Sequence, residues 1–84
     1  MSKNELVEEL QRRFRDVAQV HSLGPYKIEM DVSTEISKEE WIKRLEGLDL
    51  KDNSNRIPDS WKHNDITIQF FYGNISIFKS KNGL

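Results

Sequence analysis

The chain has 84 residues, 36% hydrophobic and 32% charged, with a net charge of −1 and no cysteine. That length sets one small domain over residues 1–84, with a single modest core. The composition excludes a disulfide framework, thiol catalysis and thiolate metal sites, and no apolar run approaches the ~20 residues of a membrane helix.

Ser2-Lys3-Asn4-Glu5 has the form of a capping box, with Met1 and Leu6 as its hydrophobic staple. Leu6, Leu10, Phe14, Val17 and His21 recur at spacings of three and four, which predicts a helix over residues 3–21. Glu8 with Arg12 and Glu9 with Arg13 are i,i+4 pairs in the favourable order. Gly24 and Pro25 stand where a helix stop belongs.

Tyr26, Ile28, Met30 and Val32 alternate with Lys27, Glu29, Asp31 and Ser33, which predicts a half-buried strand. Ser37-Lys38-Glu39-Glu40 repeats the capping pattern, with Ile36 and Trp41 as staple. Trp41, Ile42, Leu45 and Leu48 form the apolar stripe of a short helix over residues 38–46, closed by Gly47. Residues 49–64 are polar and turn-rich, broken by Leu50, Ile57 and Trp61, and read as one long loop. Residues 65–80 read as a hairpin around Gly73-Asn74. Ile66, Ile68, Phe70, Tyr72, Ile75 and Ile77 then line one face, and Phe71 and Phe78 the other.

The expected architecture is an α+β two-layer sandwich of order α-β-α-β-β. Its three-stranded, mainly antiparallel sheet runs 1-3-2, with both helices on one face. Direct parallel pairing of the first two strands is the alternative.

Chemistry is sparse in the residues. His21 and His63 stand at no metal-ligand spacing, and His63 with Asp65 is a weak acid–base pair. Glu29 and Asp31 share a strand face, where a solvated surface explains them better than a cation site. Asp52-Asn53-Ser54-Asn55 lacks the glycine and distal glutamate of a calcium loop. Arg12, Arg13 and Arg15 fan around a helix beside acidic neighbours and read as a solvated face. The expectation is therefore no metal, no cofactor and no catalytic set.

Aromatics give the one positive sign. Phe71 and Phe78 sit diagonally on the outer face, within reach of each other, as an apolar patch. Ile57 and Trp61 of the long loop either join them as a recognition surface or fold over them as a lid. The charged start, MSKNELVEEL, does not read as a signal peptide, so a cytoplasmic location is expected. The reading is a small non-enzymatic binding module, of inhibitor, adaptor or immunity type. Its partner would be another protein or a second copy, met through Trp61, Phe71, Phe78 and Ile57. The alternative is a single-stranded nucleic-acid binder stacking bases on the outer aromatics, with Lys27, Lys62, Lys79 and Lys81 on the backbone. Balanced charge, and Glu29 and Asp31 on the same face, weigh against it.

Overall fold

The capping box of the N-terminus closes as its residues dictate. Glu5 N–H donates to Ser2 Oγ at 3.2 Å, and Ser2 N–H donates to the Glu5 carboxylate at 2.7 Å. These contacts start helix α1, Lys3–Phe14, which buries Leu6, Leu10 and Phe14 on one stripe. Met1, expected as the staple residue, is exposed. This computed structural model describes residues 1–34 and 36–71.

Helix α1 ends at Phe14, well short of residue 21. Residues Ala18–Ser22 form strand β1, antiparallel to β2, Lys27–Val32. Ala18 and Val20 turn inward while Gln19 and His21 turn out, a period of two that the helical spacing of Val17 and His21 masks. Val17 is buried, and its carbonyl accepts Ser33 N–H at 2.8 Å, so sheet hydrogen bonding replaces the helical ladder here. Gly24 and Pro25 accordingly belong to a hairpin turn. Gly24 takes φ 73°, and Leu23 N–H closes the turn on the Lys27 carbonyl at 2.9 Å.

Helix α2, Lys38–Arg44, begins with Glu40 N–H donating to Ser37 Oγ at 3.1 Å. The Glu40 carboxylate does not return to the cap. It accepts Arg44 Nε–H at 3.0 Å instead. Ser37→Ala should therefore cost about 1 kcal/mol, read from urea unfolding. A variant as stable as the wild type would show that α2 is held by packing alone.

The expected loop at 49–64 contains two strands. Strand β3, Lys51–Asp52, pairs antiparallel with β4, Ser60–His63. Between them Asn53 N–H reaches the Ser60 carbonyl at 2.9 Å, and Ser54 N–H reaches Asp52 Oδ1 at 2.8 Å. The backbone N–H of Ser54 is also the main reason the Asp52 carboxyl lies below its ordinary range. Asn64-Asp65, with Asn64 at φ 53°, then turns β4 into β5, Ile66–Phe71. The hairpin expected around Gly73-Asn74 lies outside the described residues.

The sheet is five-stranded and mixed, of order β1-β2-β5-β4-β3, not three-stranded and antiparallel in order 1-3-2. Its central pair, β2 and β5, is parallel, with Ile28 opposite Ile68 and Met30 opposite Phe70. Helix α2 lies in the long connection that a parallel pair requires. Both helices bury apolar residues on one sheet face, although Ile42 of the stripe expected for α2 is exposed. Leu6, Leu10, Phe14 and Trp41 join Ile28, Met30, Ile68 and Phe70 in a single core.

Phe70 is the hub of that core. Trp41 meets it edge-on at 4.2 Å between centroids, Trp61 lies at 5.0 Å and Phe14 at 6.0 Å. Phe14 also stacks on Trp41 at 4.6 Å.

The C-terminal ends of the two helices are cross-linked by arginines. Arg13 donates to the carbonyls of Arg44 at 2.8 Å and Glu46 at 2.6 Å. Arg44 returns a bond to the Arg13 carbonyl at 2.9 Å and forks onto Asp16 at 2.6 and 3.0 Å. Each cation thus satisfies carbonyls that a helix end leaves open, where the helix dipole also favours it. Arg13 is consequently no part of a solvated basic face. It also pairs with Glu9 at 2.8 Å, and Arg12 pairs with Glu9, not with Glu8.

A candidate binding face

The sheet face away from the helices is built by the outward residues of every strand, and register arranges them in rows. Lys51, Lys62, Thr67 and Lys27 are successive neighbours across the sheet. The next row runs Ser60, Gln69, Glu29, His21, and the one beyond runs Phe71, Asp31, Gln19. The face is therefore polarised, basic along one row and acidic in the two beside it. Lys51 and Lys62 stand directly opposite each other and form no ion pair among the described residues, an unfavourable arrangement for folding alone.

Phe71 is the one large apolar side chain among the described residues of this face, and it is 38% exposed. Strand alternation puts it there: Phe70 points into the core, so Phe71 must point out. The Lys27 ammonium lies 5.9 Å from its ring centroid, within cation–π range. His21 is exposed on this face as well, with Nε2 3.9 Å from Asp31 Oδ2, and is not on a helix stripe.

The other residues expected at the site are placed elsewhere. Trp61 is 6% exposed and points into the core beside Phe70, on the opposite side of the sheet from Phe71. Alternation fixes this, since Trp61 lies opposite Ile68 in the ladder and must share its face. Ile57 is partly buried in the β3–β4 turn. Phe78 lies outside the described residues. The segment 49–64 forms the sheet margin, and its β3–β4 turn covers Ser60 of the outer face, whose hydroxyl donates to the Ile57 carbonyl at 2.7 Å, while Phe71 stays exposed.

His63 is buried on the core face of β4, whereas Asp65 is exposed in the turn, so the two form no acid–base pair. His63 Nδ1 lies 3.2 Å from the Asp49 carbonyl. A carbonyl can only accept, so this contact assigns the ring proton to Nδ1. Among the described residues, no cluster of three or more His, Cys, Asp or Glu side chains could hold a metal ion. Nor is any helix among them long and apolar enough to cross a membrane.

Lys27 and Lys62 are grouped from the sequence, but Lys51 is not, because it belongs to a third strand that pairing alone aligns with them. Compared with protein-family models, curated proteins and solved structures, the chain matches none.

Proposed function

We propose that the chain is a small non-enzymatic binding module of the cytoplasm that engages another protein through its outer sheet face. The observation that carries this reading is Phe71, an exposed aromatic ring set among charged side chains of both signs. A rigid aromatic anchor within a polar rim is the anatomy of a protein–protein hot spot. The mixed charge suits a protein surface better than a polyanion, because Asp31 stands in the ring's own row and Glu29 in the next. The absence of cysteine from the sequence accords with a reducing compartment.

The test compares immobilised wild type with Phe71→Ala in extracts of the source cell, by quantitative mass spectrometry. A protein retained by the wild type and lost from the variant is then titrated against both. Loss of about 2 kcal/mol, roughly thirtyfold in affinity, is expected with a nearly unchanged melting temperature. A large drop in melting temperature with binding intact would instead make Phe71 a structural residue.

The Lys51–Lys62–Thr67–Lys27 row favours a second reading, a single-stranded nucleic-acid surface with Phe71 as a stacking platform. It predicts that a fluorescent oligothymidylate binds with an affinity falling steeply as salt rises. Phe71→Ala and Lys62→Ala would both weaken it, and only the second would flatten the salt dependence. No anisotropy change at low salt rejects this reading and leaves the first untouched.

A further inference from the structure

The two margins of the sheet are unlike. Among the described residues the sheet ends at β1 on one side and β3 on the other. Strand β3 has what keeps an edge from pairing: it is only Lys51–Asp52, and both residues are charged and exposed. Strand β1 has none of this. Ala18–Ser22 carries no charged residue and no proline, and its register with β2 is unbroken by any bulge.

The hydrogen-bond parity of β1 shows which groups face outward. Leu23 N–H donates to the Lys27 carbonyl at 2.9 Å, and Ser33 N–H donates to that of Val17 at 2.8 Å. Odd-numbered residues therefore turn their backbone groups towards β2, and Ala18, Val20 and Ser22 turn theirs to the margin. A groove lined by Gln11, Arg15, Ala18, Gln19, Val20 and His21 runs beside this margin. Lys3, near the Ser22 end, is engaged by Ser22 Oγ and the Gly24 carbonyl.

We propose that the chain forms a symmetric dimer in which β1 pairs antiparallel with β1 of a second copy about Val20. In that register Val20 meets Val20, Ala18 meets Ser22 and Gln19 meets His21. Every outward N–H of one copy then reaches an outward carbonyl of the other. The strand is complementary to itself, as a twofold interface demands. Any extended strand would satisfy the backbone, but a second copy also matches the side chains. Val20, half-buried against the margin of the core, gains an apolar neighbour. His21 comes to lie beside a Gln19 whose ladder partner is Asp31, so imidazole and carboxylate alternate across the seam. Along the paired strands themselves no like charges face each other, although Arg15 beside Ala18 and Lys3 beside Ser22 set two cations near each end of the seam. The margin is separated from Phe71 by β2, so this dimer and the Phe71 surface stand or fall independently.

Sedimentation equilibrium of the full chain over a range of concentrations tests this. The wild type is expected to show a mass rising from monomer to dimer. Val20→Pro removes one outward N–H and leaves the β1–β2 ladder intact, because an edge strand tolerates proline there. Gln19→Lys combined with His21→Lys sets lysines opposite each other across the twofold, while each new cation keeps an acidic ladder partner, Asp31 or Glu29, within its own copy. Both changes should weaken the dimer at least about tenfold. The double variant should melt no lower than the wild type as a monomer. Should Val20→Pro fail to fold, the double variant decides alone. A wild type that stays monomeric at its highest soluble concentration overturns the proposal, whether or not it accepts a strand from another protein. So does a dimer that the double variant leaves unchanged.

Discussion

Trp41→Ala is expected to leave the protein largely unfolded at room temperature. The Trp41 side chain is fully buried, stacked on Phe14 at 4.6 Å and edge-on to Phe70 at 4.2 Å. Its removal would leave a void between both helices and the centre of the sheet. Truncating a core tryptophan costs about 3–5 kcal/mol. A domain of this size has roughly 5 kcal/mol of total stability, so the change consumes most of it. Trp41→Phe keeps a ring in the cluster and should remain folded at a lower melting temperature. Far-UV circular dichroism and thermal melts read both variants. A cooperative Trp41→Ala melt within a few degrees of wild type would mean that this cluster is not what holds the layers together.

Arg44→Ala has the next largest expected effect, about 2 kcal/mol at neutral pH, because it removes several charge-assisted hydrogen bonds at once. The guanidinium is mostly shielded, with its side chain 21% exposed, and lies over the Phe14 ring at 5.7 Å. Arg44→Lys keeps the charge but not the planar fork, and should restore less than half of the loss.

The same contact governs part of the response to acid. Asp16 is held below the ordinary aspartate value of 3.8, chiefly by its hydrogen bond from Arg44. A carboxylate lowered in this way stabilises the fold above its unfolded value and loses that contribution as pH falls through the folded one. Wild-type stability should therefore decline from about pH 4 downward, and that of Arg44→Ala less steeply. Glu9, lowered chiefly by Arg13, and Glu5, lowered chiefly by Ser2 N–H, keep a residual slope in the variant. Identical acid slopes in the two proteins would show that the Arg44–Asp16 contact is not formed in solution.

The elements that could be read from residues alone are those whose caps and periodicity agree. The starts of α1 and α2 follow from Ser2 and Ser37, and β2 follows from its clean alternation. Strand β1 was hidden because Val17 and His21 continue the spacing of Phe14, so one stretch satisfies two periods. The tie is broken only by hydrogen bonds from β2. Strands β3 and β4 were hidden by length and polarity, although Trp61 and His63 alternating around Lys62 carried a faint trace of β4. Sheet order was legible only in the alternative of direct parallel pairing, which the β2–β5 pair matches. Alternation states which face a residue takes and leaves open which strand lies beside it, and the parallel β2–β5 pairing depends on contacts far apart in the chain. At the site, Phe71 was legible from the same alternation. Trp61 was misplaced because a tryptophan in a polar segment carries no facing information until that segment is known to be a strand.

The parallel pairing also divides the molecule by how its parts can be made. The β1–β2 hairpin closes locally, and so does the meander of β3, β4 and β5. The β2–β5 seam joins these two pieces through residues as distant as Lys27 and Thr67. Closing it requires an encounter of high contact order, so the search for that seam sets the folding rate while the hairpins form early. Trp41 rests on Phe70, one of the seam's own residues. Helix α2 therefore gains its contact with Phe70 only when the seam shuts. During synthesis the amino-terminal hairpin must wait, with one side of β2 unpaired, until β5 has emerged.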